Sequence, residues 1–289
     1  MDENERKTLD EARSLLNPCR VCPRNCRVNR PAGELGYCKI GAEAVVSSAG
    51  PHFGEEPPLV GSGGSGTIFL AGCNLLCIFC QNYDISHGRQ GAPAEPADIA
   101  RVMLLLAGRG CHNVNFVTPT HVMPQLLEAV ILARQKGLRV PVVWNCGGYE
   151  SLEALGLLDG HVEIYMPDAK FTDAGTAKRL ANAADYPEVM KAAIREMHRQ
   201  VGDLVMERGI ARRGLLVRHL VMPAGGAEAR AVVDFLADEV SPNTYVNIMG
   251  QYHPEYHAHT DPVIRGYPTP EEIAEAREYA LRRGLRLSD

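Results

Sequence analysis

Three cysteines fall within eight residues in the stretch CNLLCIFC, at Cys73, Cys77 and Cys80. Thiolates at such spacing suit a soft metal or an iron–sulfur cluster. A structural zinc ion takes four protein ligands, and so does a structural iron–sulfur cluster. Three thiolates leave one iron of a four-iron cluster without a protein ligand, open to coordinate something else. Gly72 precedes the first cysteine and allows the tight turn that three converging sulfurs need. Three cysteines packed merely as small apolar groups would place no constraint on their spacing.

A second group, Cys19, Cys22, Cys26 and Cys38, has the four ligands of a closed shell. Pro23, Gly33 and Gly36 fit a knuckle wound around a metal. Zn2+ or a second iron–sulfur cluster satisfies this pattern, and spacing does not separate them. Other signals are weaker. His253, His257 and His259 in HPEYHAH could bind a metal, since imidazole suits zinc or iron, but they read first as ordinary loop histidines, because Pro254 prevents a regular helical face. Glu55 and Glu56 in HFGEEPP lie just before the first long hydrophobic strand and either line its mouth or sit on the surface. Cys111 and Cys146 read as buried free thiols. GSGGSG at 61–66 lacks the Gly-Lys-Ser/Thr of a phosphate loop.

The elements that must position these residues alternate. Residues 1–16 read as a charged helix that Asn17-Pro18 ends, followed by a loop-like stretch over 17–41 and a short strand at Ala44–Ser47. Buried strands are expected at 67–70, 113–118, 140–145, 161–167, 214–221 and 245–252. Helices are expected at 96–110, 123–137, around 151–158, at 174–182 and 187–202, after residue 227, and at 270–284. Alternation of this kind predicts parallel strands with helical crossovers, an α/β fold forming a partial (β/α)6 TIM-like barrel. Its chemistry belongs at the carboxyl ends of the strands. Two segments are expected: an N-terminal helix and cysteine knuckle over 1–61, and the barrel over 62–289. The first is the obvious material to cover the barrel mouth and keep water and oxygen out.

Composition narrows the class. The chain has 289 residues, 45% hydrophobic and 22% charged, with a net charge of −5. Basic residues are scattered, so no nucleic-acid stripe or membrane patch is expected. The charged N-terminus does not read as a secretory signal, and no apolar run spans a bilayer. Nine cysteines in a chain read as cytoplasmic favour metal or catalytic thiols over disulfides.

The C-x3-C-x2-C loop after the first strand of an α/β barrel resembles the radical S-adenosylmethionine (SAM) superfamily. HFGEEPPLVGSGGSGTIFLAGCNLLCIFCQNYDIS and NPCRVCPRNCRVNRPAGELGYC resemble proteins related to pyruvate formate-lyase activating enzyme. The resemblance implies a [4Fe-4S] cluster on Cys73, Cys77 and Cys80. Its open iron chelates the methionyl amine and carboxylate of SAM, and one electron releases a 5′-deoxyadenosyl radical that abstracts hydrogen from a substrate. It also implies cofactor contacts at Phe79, near adenine, and at Thr118 and Thr120 in VTPTH, which departs from the family's usual Gly-Gly-Glu. Further contacts are implied at Asn145 in NCGG and at Asp168 and Lys170 in PDAK, with the lysine approaching the SAM carboxylate. Arg218, His219, Gln251 and His253 are candidates for ribose or substrate contacts.

An anaerobic, activating-enzyme-like oxidoreductase would draw its electron from a donor such as flavodoxin or ferredoxin. Its substrate would be a glycyl-radical protein, or else a small molecule or peptide modified directly. A non-enzymatic iron–sulfur carrier or sensor is the alternative of another class, and it leaves the polar residues at the strand ends without a task. Release of 5′-deoxyadenosine separates the two.

Overall fold

The structure is a computed structural model that describes residues 2–288, apart from the side chains of residues 226 and 227. Helix α1 (Glu3–Ser14) starts in a capping box between Asp2 and Glu5. The cysteine-rich stretch follows as loops with a single 3-10 turn, Arg30–Ala32. Strand β1 (Ala44–His52) runs further than its sequence suggests. Gly50 and Pro51 are tolerated because the neighbouring β3 pairs only residues 44–46, which leaves the rest of the outer edge uncovered. The chain continues through α2 (Pro57–Val60), β2 (Ser65–Leu70), α3 (Tyr83–Ser86), β3 (Ala92–Ala94), α4 (Pro96–Gly108), β4 (Val114–Val117) and α5 (Met123–Gln135). It then forms β5 (Val142–Cys146), α6 (Leu152–Leu157), β6 (Ile164–Pro167), α7 (Ala174–Ala181) and α8 (Tyr186–Val201). The last third holds β7 (Val205–Glu207), β8 (Ile210–Leu220), α9 (Gly226–Phe235) with a π turn after it, β9 (Tyr245–Met249), α10 (Pro270–Arg282) and β10 (Arg286–Leu287).

The sheet order is β10-β9-β8-β6-β5-β4-β2-β1-β3, with β7 hanging off β8. The six strands expected from sequence, β2, β4, β5, β6, β8 and β9, are adjacent and parallel. The sheet does not close, so the architecture is a partial TIM-like barrel with an open side. The β7–β8 hairpin was not legible in the sequence. It turns on Arg208 and Gly209, both at positive φ, and Arg-Gly is a weaker signal than Asn-Gly for that turn.

Period-two alternation divides the strands between two cores. Phe116, Trp144, Tyr165, Leu215 and Val217 face the helices. Val143, Ile164, Met166, Leu216 and Tyr245 fill the lumen with Leu59. The cysteine-rich segment joins the outer core through Leu15, Leu16, Cys19, Cys38 and Ile40. Among the described residues, no helix is long and apolar enough to cross a membrane.

Candidate active site at the carboxyl ends of the strands

The lumen-facing parity that buries Val143, Ile164, Met166 and Leu216 carries Asn145, Asp168 and Arg218 one step further along the same strands. There the lumen opens into a cavity of about 390 Å³. Cys73, Cys77 and Cys80 line it, as do Phe79, Thr118, Asn145, Asp168, Lys170, Arg218 and Gln251. Strands far apart in sequence thus bring most of the expected residues to one place.

The polar groups form a connected network. Arg218 donates from Nε to Asp168 Oδ1 at 2.8 Å and from Nη2 to Asn145 Oδ1 at 2.7 Å. Lys170 Nζ donates to the other Asp168 oxygen at 2.6 Å. Glu55 Oε2 stands 3.8 Å from Arg218 Nη1, and Glu56 accepts from Asn247 Nδ2 at 2.6 Å. Burial works against ionisation of Asp168, but Arg218 and then Lys170 outweigh it and hold the carboxyl below its ordinary range. Burial works against the Lys170 ammonium, but Asp168 outweighs it and holds the lysine above its ordinary range. Glu56 is pushed upward by burial, against the pull of Arg218.

The three-cysteine loop is fixed by its backbone. Gly72, at φ +81°, turns where an added Cβ would lie 2.8 Å from Cys38 O and 2.6 Å from Ile40 Cγ1. Leu76 also takes positive φ. Leu75 N–H points at Cys73 Sγ at 3.3 Å, and Cys80 Sγ is 3.2 Å from Ser86 Oγ. Ile78 N–H donates to Leu180 O and Ile78 O accepts from His257 N–H, pinning the middle of the loop on both sides. Arg24, from the cysteine-rich segment, donates to Asn74 O at 2.7 Å and Leu75 O at 3.4 Å, between the first two cysteines.

Burial pushes the Cys77 thiol up to about 12, with Lys170 opposing, and raises Cys73 as well. Such thiols stay protonated until an ion displaces the proton, which fits a metal-ligand role better than that of a free nucleophile. Among the described residues, no three Cys, His, Asp or Glu side chains are already drawn together as a finished metal cage. The fit of a cluster therefore stands on the soft donor set, the cavity above it and Lys170 within electrostatic reach.

Some expected residues are placed elsewhere. Thr120 is buried outside the cavity, and its hydroxyl donates to Glu150. His253 stands at the surface beside Glu255, with Nδ1 to Oε1 at 3.2 Å. His219 alternates away from Arg218 and meets Ala169 O at 2.7 Å through Nδ1. Cys146 is buried among outward-facing core residues and Cys111 lies in the same core. Phe79 packs edge-on against Phe171 at 6.1 Å while still facing the cavity. The sequence reading left Glu55 open between mouth and surface; its side chain is 8% exposed and faces Arg218. It missed His52, which lines the cavity, and Asn247, which holds Glu56. HFGEEPP carried the signal for His52 as it did for Glu55. Asn247 was detectable only as a polar residue at inward parity in YVNIM.

Residues 67–206 match the radical SAM superfamily. Uncharacterized protein MJ0674 of Methanocaldococcus jannaschii is 34% identical over 289 residues, spanning 96% of this chain and 79% of that protein. Uncharacterized protein MJ0808 of the same organism is 26% identical, spanning 93% and 79%. Among solved structures, SuiB of Streptococcus suis bound to S-adenosylmethionine superposes with a TM-score of 0.52 at 10% identity, covering 74% of this chain and 47% of that one. That likeness is one of fold.

Proposed function

Because the chain belongs to the radical SAM superfamily, whose members are built to hold a [4Fe-4S] cluster and SAM, we propose that it is an enzyme that starts radical chemistry by reductive cleavage of SAM. Cys73, Cys77 and Cys80 would hold the cluster. When bound, the cluster and SAM supply one-electron cleavage of the sulfonium carbon–sulfur bond and hence a 5′-deoxyadenosyl radical. The observation that carries this reading is that one cavity is lined both by the three cysteines and by the Asn145–Asp168–Lys170–Arg218 network.

The chain's own residues have distinct tasks. Lys170 and Arg218 offer fixed cations to the carboxylate of SAM, and Asp168 and Asn145 offer acceptors to its ammonium and hydroxyl groups. Phe79 and Thr118 shape the remaining wall. The network is assembled by hydrogen bonds inside the fold, so little reorganisation is needed when the nucleotide enters. Gln251 and Glu55 lie on the cavity wall as candidates for contact with substrate.

The open side of the sheet supports a substrate that reaches in from outside, such as a glycine loop of a glycyl-radical protein or a peptide. A reduced flavodoxin or ferredoxin would supply the electron. The test is anaerobic reconstitution with iron, sulfide, SAM and reductant, followed by assay for 5′-deoxyadenosine. The intact chain should release it, and Cys77→Ser should lose both the cluster absorbance and the product. Retained product formation in Cys77→Ser would remove that residue from the ligand set. A cluster that leaves SAM intact on reduction would overturn the enzymatic reading.

A further inference from the structure

We propose that Cys19, Cys22, Cys26 and Cys38 form a tetrathiolate metal centre, separate from the three-cysteine site, and that the buried guanidinium of Arg30 is its counter-ion. Arg30 is 1% exposed. It donates from Nε to Gly41 O at 2.7 Å and from Nη1 to His121 O at 2.7 Å, while Nη2 has no partner. Both partners are carbonyls, and among the described residues no carboxylate pairs with it. A buried charge without an opposite charge is costly, and arginine does not escape by losing its proton. The neighbouring His121 supplies no anion. It is fully buried with Nδ1 unpartnered, and burial first, then Arg30, holds it neutral.

The remaining source of negative charge beside Arg30 is sulfur. Cys38 lies within its electrostatic reach. Cys22 in turn lies within electrostatic reach of Cys38, Cys26 and Cys19, although among the described residues the four sulfurs are not already drawn into a cage. Backbone N–H groups are directed at these sulfurs: Tyr37 N–H at Cys26 Sγ at 3.2 Å, Arg24 N–H at Cys22 and Ile40 N–H at Cys38. The last two follow the same pattern, in which the amide two residues on turns back to the sulfur. Burial pushes the Cys22 and Cys38 thiols up and outweighs these bonds, so the sulfurs become negative only when a metal displaces their protons. Asn25, Arg27 and Lys39 take positive φ to wind the chain this way. A Cβ on Gly36 would lie 3.4 Å from Cys38 Sγ and 3.7 Å from Cys26 Sγ, so glycine there keeps the space beside both sulfurs clear.

The charges then compensate in part. Each thiol gives its proton to solvent as its sulfur bonds the metal. Four thiolates around a doubly charged zinc ion, or around the doubly charged core of a four-iron cluster, leave a net negative centre that the guanidinium offsets. The inference does not depend on the activity proposed for the cavity.

The full-length Cys73→Ser/Cys77→Ser/Cys80→Ser variant, prepared anaerobically, isolates the question. It should retain one zinc ion per chain, or iron with matching sulfide, and elemental analysis distinguishes the two. After chelation, titration with cobalt(II) should give the absorption of a four-sulfur tetrahedral site at one equivalent. Adding Cys22→Ser or Cys38→Ser should abolish both signals, and the cobalt spectrum of the parent decides the matter if those variants do not fold. Absence of tightly held metal from the parent, or a cobalt spectrum without thiolate charge transfer, overturns the centre. Arg30→Leu should hasten metal release to a chelator by about tenfold or more, with Arg30→Lys closer to the parent, as expected when a buried charge loses its partner. Equal release rates for Arg30→Leu and the parent overturn the counter-ion role.

Discussion

Arg218 shows how much a single side chain decides at the barrel mouth. It links Asp168, Asn145 and Glu55, three residues from separate stretches of chain, and leaves Lys170 to share Asp168. Glu150 is the opposite kind of buried charge. Its carboxylate accepts from Thr120 and from Trp144 Nε1 at 3.5 Å, and among the described residues no cation is bonded to it. Burial pushes it up to about 7 from 4.5. A carboxyl raised by folding contributes stability that is complete below its unfolded pKa and is lost as pH rises through the folded one. Stability measured against Glu150→Gln by denaturant unfolding should therefore fall between pH 4.5 and about 7, by on the order of 3 kcal/mol. A flat difference across that window would show that Glu150 ionises normally in the fold.

At the scale of elements, the three-cysteine loop depends on its neighbours more than on itself. Arg24 spans two carbonyls of that loop and two at the end of α7, Ala181 O at 2.8 Å and Asn182 O at 2.5 Å. Tyr37 lies 4.0 Å from its guanidinium carbon and Tyr149 lies 5.2 Å away. Arg24→Ala should cost roughly 2–3 kcal/mol, the scale of charge-assisted hydrogen bonds lost from partly buried carbonyls. It should also lower the iron bound per chain after reconstitution. Arg24→Lys should recover little, since an ammonium cannot span four carbonyls in the plane of a guanidinium. Iron content and unfolding midpoint, measured together, check this; unchanged iron in Arg24→Ala would confine the residue to stability.

Across the whole molecule, the N-terminal segment is woven into the barrel. β1 pairs along β2 from Val46 to His52, and α1 packs on α5 and α6. Leu9, Ala12, Leu15 and Ile40 belong to the core that also holds Ile68, Phe116 and Trp144. A fragment of residues 62–289 should expose the edge of β2 together with that apolar face and fail to give soluble, cooperatively unfolding protein. Recovery of a soluble fragment with the thermal transition of the whole chain would show that the barrel stands alone.

The sequence by itself determined the six parallel strands, because buried parallel strands read as apolar runs and their helices as capped amphipathic stretches. It also set out the two cysteine groups as ligand patterns, because ligand spacing is local. Asn145, Asp168, Lys170 and Arg218 could be named from motifs, yet their pairing could not, since Arg218 and Asp168 lie fifty positions apart. Only the tertiary structure separated Thr118, which faces the cavity, from Thr120, which turns to Glu150. It also placed Arg24 and Arg30 beside cysteine loops, where sequence shows only two more arginines. The reason is physical: strand and helix preferences act between near neighbours, whereas a buried charge is defined by whatever distant parts of the chain surround it.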